Sequence, residues 1–163
     1  MIISGYIPIL FGRARGTEGI DAFIRKIDKE TFTSFYQELI LDEFYFLNPE
    51  DERGLFEMLT DQLAIRAAKR DTIIPNIEIK FIKDDIDLFT IEQRNQLILN
   101  NKHHLYISPI EVEIPYKLYL GSEKDIEDAL YLWDIFKDYL DMSLIRRFMK
   151  ALHVTGDTYG ITL

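Results

Sequence analysis

The sequence predicts an α+β fold, with a small mixed sheet and a helical C-terminal part. Three observations predict it. Apolar and polar residues alternate strictly over Ile77-Glu78-Ile79-Lys80-Phe81, the signature of a half-buried strand. Phe32, Phe35, Tyr36, Leu39 and Ile40 recur at the spacing of one helix face. The last third carries one helix-start signal after another. Strands and helices therefore come in blocks. Residues 1–107 form the expected α/β core and 108–163 the helical part, packed together as a single domain.

Along the chain, Ile2–Phe11 is apolar but interrupted by Gly5 and Pro8, which suits a short strand or a short helix leading into one. Gly12–Glu18 holds two glycines and two arginines and reads as a loop. A strand follows from Ile20, with Asp21 and Phe23 on one face and Ile20 and Ala22 on the other. Asp28 opens the helix that carries Phe32 to Ile40. Phe44–Phe46 is a short strand or a corner between helices. Asn48 and Pro49 read as N-cap and first turn of a second helix, with Leu55, Leu59 and Leu63 on one side. Ile73–Asn76 is a break before the alternating strand. Gln96–Leu99 and His103–Ile107 flank a polar turn and read as a hairpin.

Ser108-Pro109-Ile110-Glu111 has the form of a capping box. Pro115 falls inside that helix, where it removes one hydrogen bond and predicts a kink. Ser122 caps the next helix, whose stripe runs through Ile126, Ala129, Leu130, Trp133 and either Ile135 or Phe136 to Leu140. Ser143 starts a last short helix.

Composition bounds the function classes. Net charge is −9, from 28 acids against 19 bases, which disfavours nucleic acid unless the bases cluster on one face. The clusters at Arg66, Lys69 and Arg70, and at Arg146, Arg147 and Lys150, read as solvated faces. Cysteine is absent, so neither disulfides nor cysteine-bound zinc are available. No apolar run nears the ~18 residues of a membrane span. Residues 1–5 lack the basic start of a secretory signal, so cytoplasm is the expected location. His103 and His104 are neighbours on a strand, point to opposite faces and do not chelate one metal together.

Ser4-Gly5-Tyr6 is a glycine turn near the start of the chain. Arg15-Gly16-Thr17-Glu18-Gly19-Ile20-Asp21 follows it, and Lys117 precedes Lys124-Asp125-Ile126-Glu127-Asp128 much later. In these motifs the chain resembles the nucleotidyltransferase (DNA polymerase beta-like) superfamily. The likeness is to the branch of the abortive-infection nucleotidyltransferase toxins and their uncharacterised prokaryotic relatives. It spans residues 3–23 and 76–137. The family pattern is a glycine turn, then Arg-x-Ser/Thr-x-Asp-Ile-Asp, then a late Lys with Lys/Arg-Asp-x-x-Asp.

The resemblance implies a sheet of the nucleotidyltransferase type and a site for an NTP with magnesium. Two acids at i and i+2 on a strand point the same way and bridge divalent ions that neutralise a triphosphate. Here the first acid is Gly19, and Asp21 alone remains. Asp21 and Glu78 are the expected catalytic and metal-binding residues. Gly5, Arg13, Arg15, Thr17, Lys117 and Asp125 are the expected nucleotide contacts. Restoring Gly19→Asp is expected to raise magnesium affinity.

Two function classes follow. One is a catalytically degenerate nucleotidyltransferase fold that binds a nucleotide or a protein partner, in a toxin-antitoxin or defence setting. The other is magnesium-dependent transfer of a nucleoside monophosphate to a tRNA, a protein or a small molecule.

Overall fold

The computed structural model describes residues 1–162. The N-terminal run splits into a two-residue strand, β1 (Ile2–Ile3), and a short helix, α1 (Tyr6–Leu10). Ser4 turns the chain between them with a left-handed φ of 59°. Strand β2 (Gly19–Ile24) follows the arginine loop. Helix α2 (Lys29–Leu41) starts where Asp28 accepts a hydrogen bond from the Thr31 amide at 2.8 Å. Strand β3 is Phe44–Phe46 and helix α3 is Glu52–Thr60.

The cap of α3 differs from the expectation. Asp51, not Asn48, accepts from the Gly54 amide. The Asn48 side chain instead accepts from the Arg66 amide at 2.7 Å, across the next strand. The helix stops at Thr60, which leaves Leu63 outside the stripe and 54% exposed.

Two elements carry no clear period in the sequence. Strand β4 (Ile65–Lys69) is alanine-rich and buries Ile65, Ala67 and Ala68. Helix α4 (Asp85–Glu92) is capped by Asp84. Between them lies β5 (Asn76–Phe81), and after them the hairpin β6 (Asn95–Leu99) and β7 (His103–Ile107). The C-terminal helices are α5 (Ile110–Leu120), α6 (Glu123–Phe136) and α7 (Met142–Ala151).

The fold is α+β, as predicted, but its sheet is larger than the sequence suggested. Seven strands lie in the order β3-β4-β5-β2-β1-β7-β6. The sheet is mixed: β2 runs parallel to β5, β1 parallel to β7, and the other pairs are antiparallel.

Two cap expectations, at Ser108 and at Ser143, are corrected. The capping box at Ser108 does not form: the helix N-cap is Pro109, without a side-chain bond. Helix α5 runs on through Pro115. At α7 the cap is Asp141, which accepts from the Ser143 and Leu144 amides.

Two apolar clusters flank the sheet. One joins Phe32, Leu55 and Leu59 to Ile65, Ile79 and Phe81, so α2 and α3 pack on β4 and β5. The other joins Ile114, Leu132, Trp133 and Ile145 to Ile7 and Ile107, so the three C-terminal helices pack on α1 and β7. Leu132 joins the buried stripe of α6, and of Ile135 and Phe136 it is Phe136 that packs on the cluster, Ile135 being 39% exposed. Among the described residues no helix is long and apolar enough to cross a membrane.

Trp133 is 8% exposed in the second cluster. Truncating a buried aromatic of this size costs about 3–5 kcal/mol. Trp133→Ala is expected to lower the midpoint of urea unfolding sharply. An unchanged midpoint would mean that α6 does not dock through this residue.

Candidate functional site

Strands β2 and β5 run parallel in direct register, Asp21 beside Glu78. Registered residues of a parallel pair share a face. The two acids therefore stand side by side on the floor of an open cleft of about 590 Å³, whose walls include Thr17, Gly19, Arg66 and Lys124.

The two acids have different surroundings. Glu78 Oε1 meets Lys80 Nζ at 2.6 Å, and its Oε2 meets the Arg66 guanidinium at 2.8 Å. Burial alone raises its pKa, but the bonds from Lys80 and Arg66 more than reverse this and hold it below the ordinary carboxylate value. Asp21 has no such partner, and its pKa is raised by burial and then by the adjacent Glu78. Arg66, which read as part of a solvated basic cluster, is thus Glu78's counter-ion from the neighbouring strand β4.

Gly19 opens β2 against Asn76, the first residue of β5. A Cβ at Gly19 would stand 2.8 Å from the Asn76 carbonyl oxygen and 3.0 Å from its side-chain oxygen. No side chain fits there without moving the neighbouring strand. The expectation that Gly19→Asp restores a metal ligand is therefore overturned on steric grounds. Among the described residues no group of three or more acids or histidines is arranged to hold a metal ion. Asp21 is the one free carboxylate on the floor, with exposed Glu18 at the rim, because both of Glu78's oxygens are taken. This donor set does not fit a magnesium cage of oxygen ligands.

Of the expected nucleotide contacts, Thr17 lines the cleft and the others lie elsewhere. The Thr17 hydroxyl donates to the Gly19 carbonyl at 2.8 Å and fixes the entry into β2. Arg13, Arg15 and Lys117 converge on Asp128, which is fully buried. Arg15 donates to Asp128 through Nε at 3.0 Å and Nη2 at 2.9 Å, a two-pronged grip. Arg13 bonds Asp128 and also Glu127. Lys117 Nζ lies 2.9 Å from both Asp128 and Asp125. Burial alone would lower the Lys117 pKa, yet the bonds to Asp128 and Asp125 raise it, so it stays a cation.

Gly5 belongs to the same cluster. Its carbonyl accepts a hydrogen bond from Arg15, and a Cβ there would come within 2.7 Å of the guanidinium. The turn is glycine because an arginine crosses it closely. Asp125 bonds both Ser122, the α6 cap, and Lys117. It therefore serves the helix start and the ion cluster together.

One residue with unusual surroundings escaped the sequence reading. Glu113 is 2% exposed, and its Oε1 has no hydrogen-bond partner. Burial pushes its pKa from 4.5 up to about 7, against the pull of Lys117 one turn on. The signal was present in the chain. A glutamate lies between Val112 and Ile114 in an apolar helix, four residues before a lysine.

Two outcomes follow. Asp128→Asn leaves three cations around a neutral amide, and breaking such a buried set costs about 3–5 kcal/mol. Asp125→Ala is expected to cost less, about 0.5–2 kcal/mol, as a capping loss. Urea midpoints of both variants measure the difference, and equal losses would refute the central place of Asp128. Glu113 gives a pH dependence of opposite sign to an ordinary carboxylate. The unfolded chain releases this proton near pH 4.5, and the folded protein keeps it until about pH 7. The stability it contributes is therefore complete below pH 4.5 and is lost as pH rises through 7. Glu113→Gln is expected to gain up to about 3 kcal/mol over the parent at pH 8. The gain should vanish toward pH 4.5, as read by unfolding at both pH values.

No protein-family model matches the chain, and no curated protein matches it.

Proposed function

We propose that this chain is a nucleotidyltransferase-fold protein that has lost nucleotidyl transfer and keeps the cleft over β2 and β5 as a binding site for a nucleotide. The side-by-side register of Asp21 and Glu78 supports the fold reading, since the fold places its metal acids on adjacent strands. One observation carries the loss of transfer. The position of the first acid is Gly19, pressed against Asn76, while Glu78 is neutralised by Lys80 and Arg66.

The cations that face the cleft are not those the motif implies. Arg13, Arg15 and Lys117 are committed to Asp128, and unpairing them would strand a buried charge. Arg66, whose side chain is 56% exposed, and Lys124 line the cleft and are the phosphate contacts in this reading. Binding there needs no two-metal cage. A cytoplasmic location belongs to the same proposal, as the compartment where free nucleotides are abundant.

A protein partner at the cleft mouth is the second reading. Its support is the loop before β5, where Ile73 and Ile74 are 66% and 55% exposed.

Calorimetry with each of the four NTPs tests the first reading. Binding is expected with or without magnesium, weakened by Arg66→Ala and Lys124→Ala. Radiolabelled NTPs with magnesium should leave no label on the protein or on tRNA. Magnesium-dependent labelling that Asp21→Asn abolishes would overturn the loss of transfer and favour the enzyme.

A further inference from the structure

On the same face of the sheet as Asp21, but further along β2, a second recess opens near Phe23. It has two connected parts that share Ile3, Phe23, Ile86, Asp87 and Tyr116. The inner chamber holds about 40 Å³ and the outer groove about 420 Å³. Neither shares a residue with the Asp21 cleft.

The inner chamber is apolar on most sides, yet two carboxylates reach its wall, Glu113 at 2% and Asp87 at 8% exposure. Glu113 Oε1 is the only buried side-chain nitrogen or oxygen among the described residues without a partner. Asp87 accepts from the Lys83 amide at 3.0 Å through one oxygen. No lysine or arginine lines the chamber. Lys117, which pulls on Glu113, is spent on Asp125 and Asp128, and the two lysines of the outer groove are Lys80, paired with Glu78, and Lys83 beside Asp87. A buried carboxyl oxygen without a hydrogen-bond partner is costly, so a positively charged donor is the simplest complement to Glu113.

The outer groove limits what carries that charge. The Tyr116 and Tyr119 rings lie 6.2 Å apart at its wall, with Leu152 alongside. The chamber admits a head of a few non-hydrogen atoms, since a water takes about 30 Å³ of liquid volume. An ammonium fits.

We propose that this recess is a binding site for a primary amine with an aromatic or apolar body, its ammonium placed between Glu113 and Asp87 and its body on Tyr116 and Tyr119. The ammonium supplies the donor that Glu113 Oε1 lacks, and the rings favour a nearby cation. The site is independent of nucleotide binding in the cleft.

The groups that face Glu113 set the pH behaviour. They are the Ser4 amide, the Ser108 hydroxyl, Lys117 on its own helix and Asp128 on α6, with Asp87 across the chamber on α4. Glu113 is neutral below about pH 7, whereas an alkyl ammonium stays charged from pH 6 to 8. Amine binding therefore strengthens as pH rises through 7 and releases a proton near it.

Calorimetry with phenethylamine and its neutral counterpart 2-phenylethanol, on the full chain at pH 8, tests the proposal. Phenethylamine is expected to bind at least about tenfold more tightly than the alcohol. Glu113→Gln should bring the amine to the level of the alcohol while the urea midpoint stays at or above that of the parent. Asp87→Asn should weaken the amine less. Lowering the pH to 6 should weaken the amine severalfold and leave the alcohol unchanged. Equal affinity for both compounds, no amine binding at about 10 mM, or undiminished binding by Glu113→Gln would each overturn the proposal.

Discussion

Asp128 holds the two parts of this protein together. It sits on α6 with no exposure and receives Arg13 and Arg15 from the loop before β2, together with Lys117 from α5. Three cations around one buried carboxylate are stable only because Asp125 and Glu127 on the same helix share the excess charge. The chain's order follows from this. The loop that leads into β2 is pinned to α6, and Arg15 crosses the Gly5 turn so closely that a Cβ there would displace its guanidinium. Thr17 then fixes the first residue of β2 through its hydroxyl. The position of Asp21 on the cleft floor is thus set partly by charges more than a hundred residues away.

That arrangement explains why motif residues that resemble nucleotide contacts are turned inward. A buried ion cluster is a poor phosphate site, because any ligand must first compete with the internal carboxylates. The cleft is left with exposed cations on β4 and α6 and with Asp21 unpaired on its floor. Its floor is further constrained by strand contact at Gly19 and Asn76, which removes the space for a second acid. Loss of a charge and close strand packing therefore coincide at one position.

Much of the secondary structure is readable from the chain. The alternation at Ile77–Phe81, the cap at Asp28 and the hairpin turn at residues 100–102 depend on nearest neighbours, and all three appear where local chemistry puts them. Strand β4 was not readable. Ile65-Arg66-Ala67-Ala68-Lys69 has weak strand preference, and only pairing with β3 and β5 makes it extended. The caps at Asn48 and Ser108 misled for a related reason. Asn48 bonds a strand that is distant in sequence, and the Ser108 side chain is buried, away from a free helix end.

For the site, the chain by itself determined which residue types are present and their spacing: one acid at Asp21, none at Gly19, and a glutamate on the polar side of a strand. It also determined that no cysteine chemistry is available. Only the tertiary structure decided which charges meet. Arg66 reaches Glu78 because β4 pairs with β5 in that register, and Arg13, Arg15 and Lys117 reach Asp128 because α5 and α6 pack beside the N-terminal loop. It alone decided that Glu113 faces an enclosed chamber rather than a partner. Electrostatic pairing falls off over a few ångströms in space and does not depend on distance along the chain, so a charge's partner is a property of the fold.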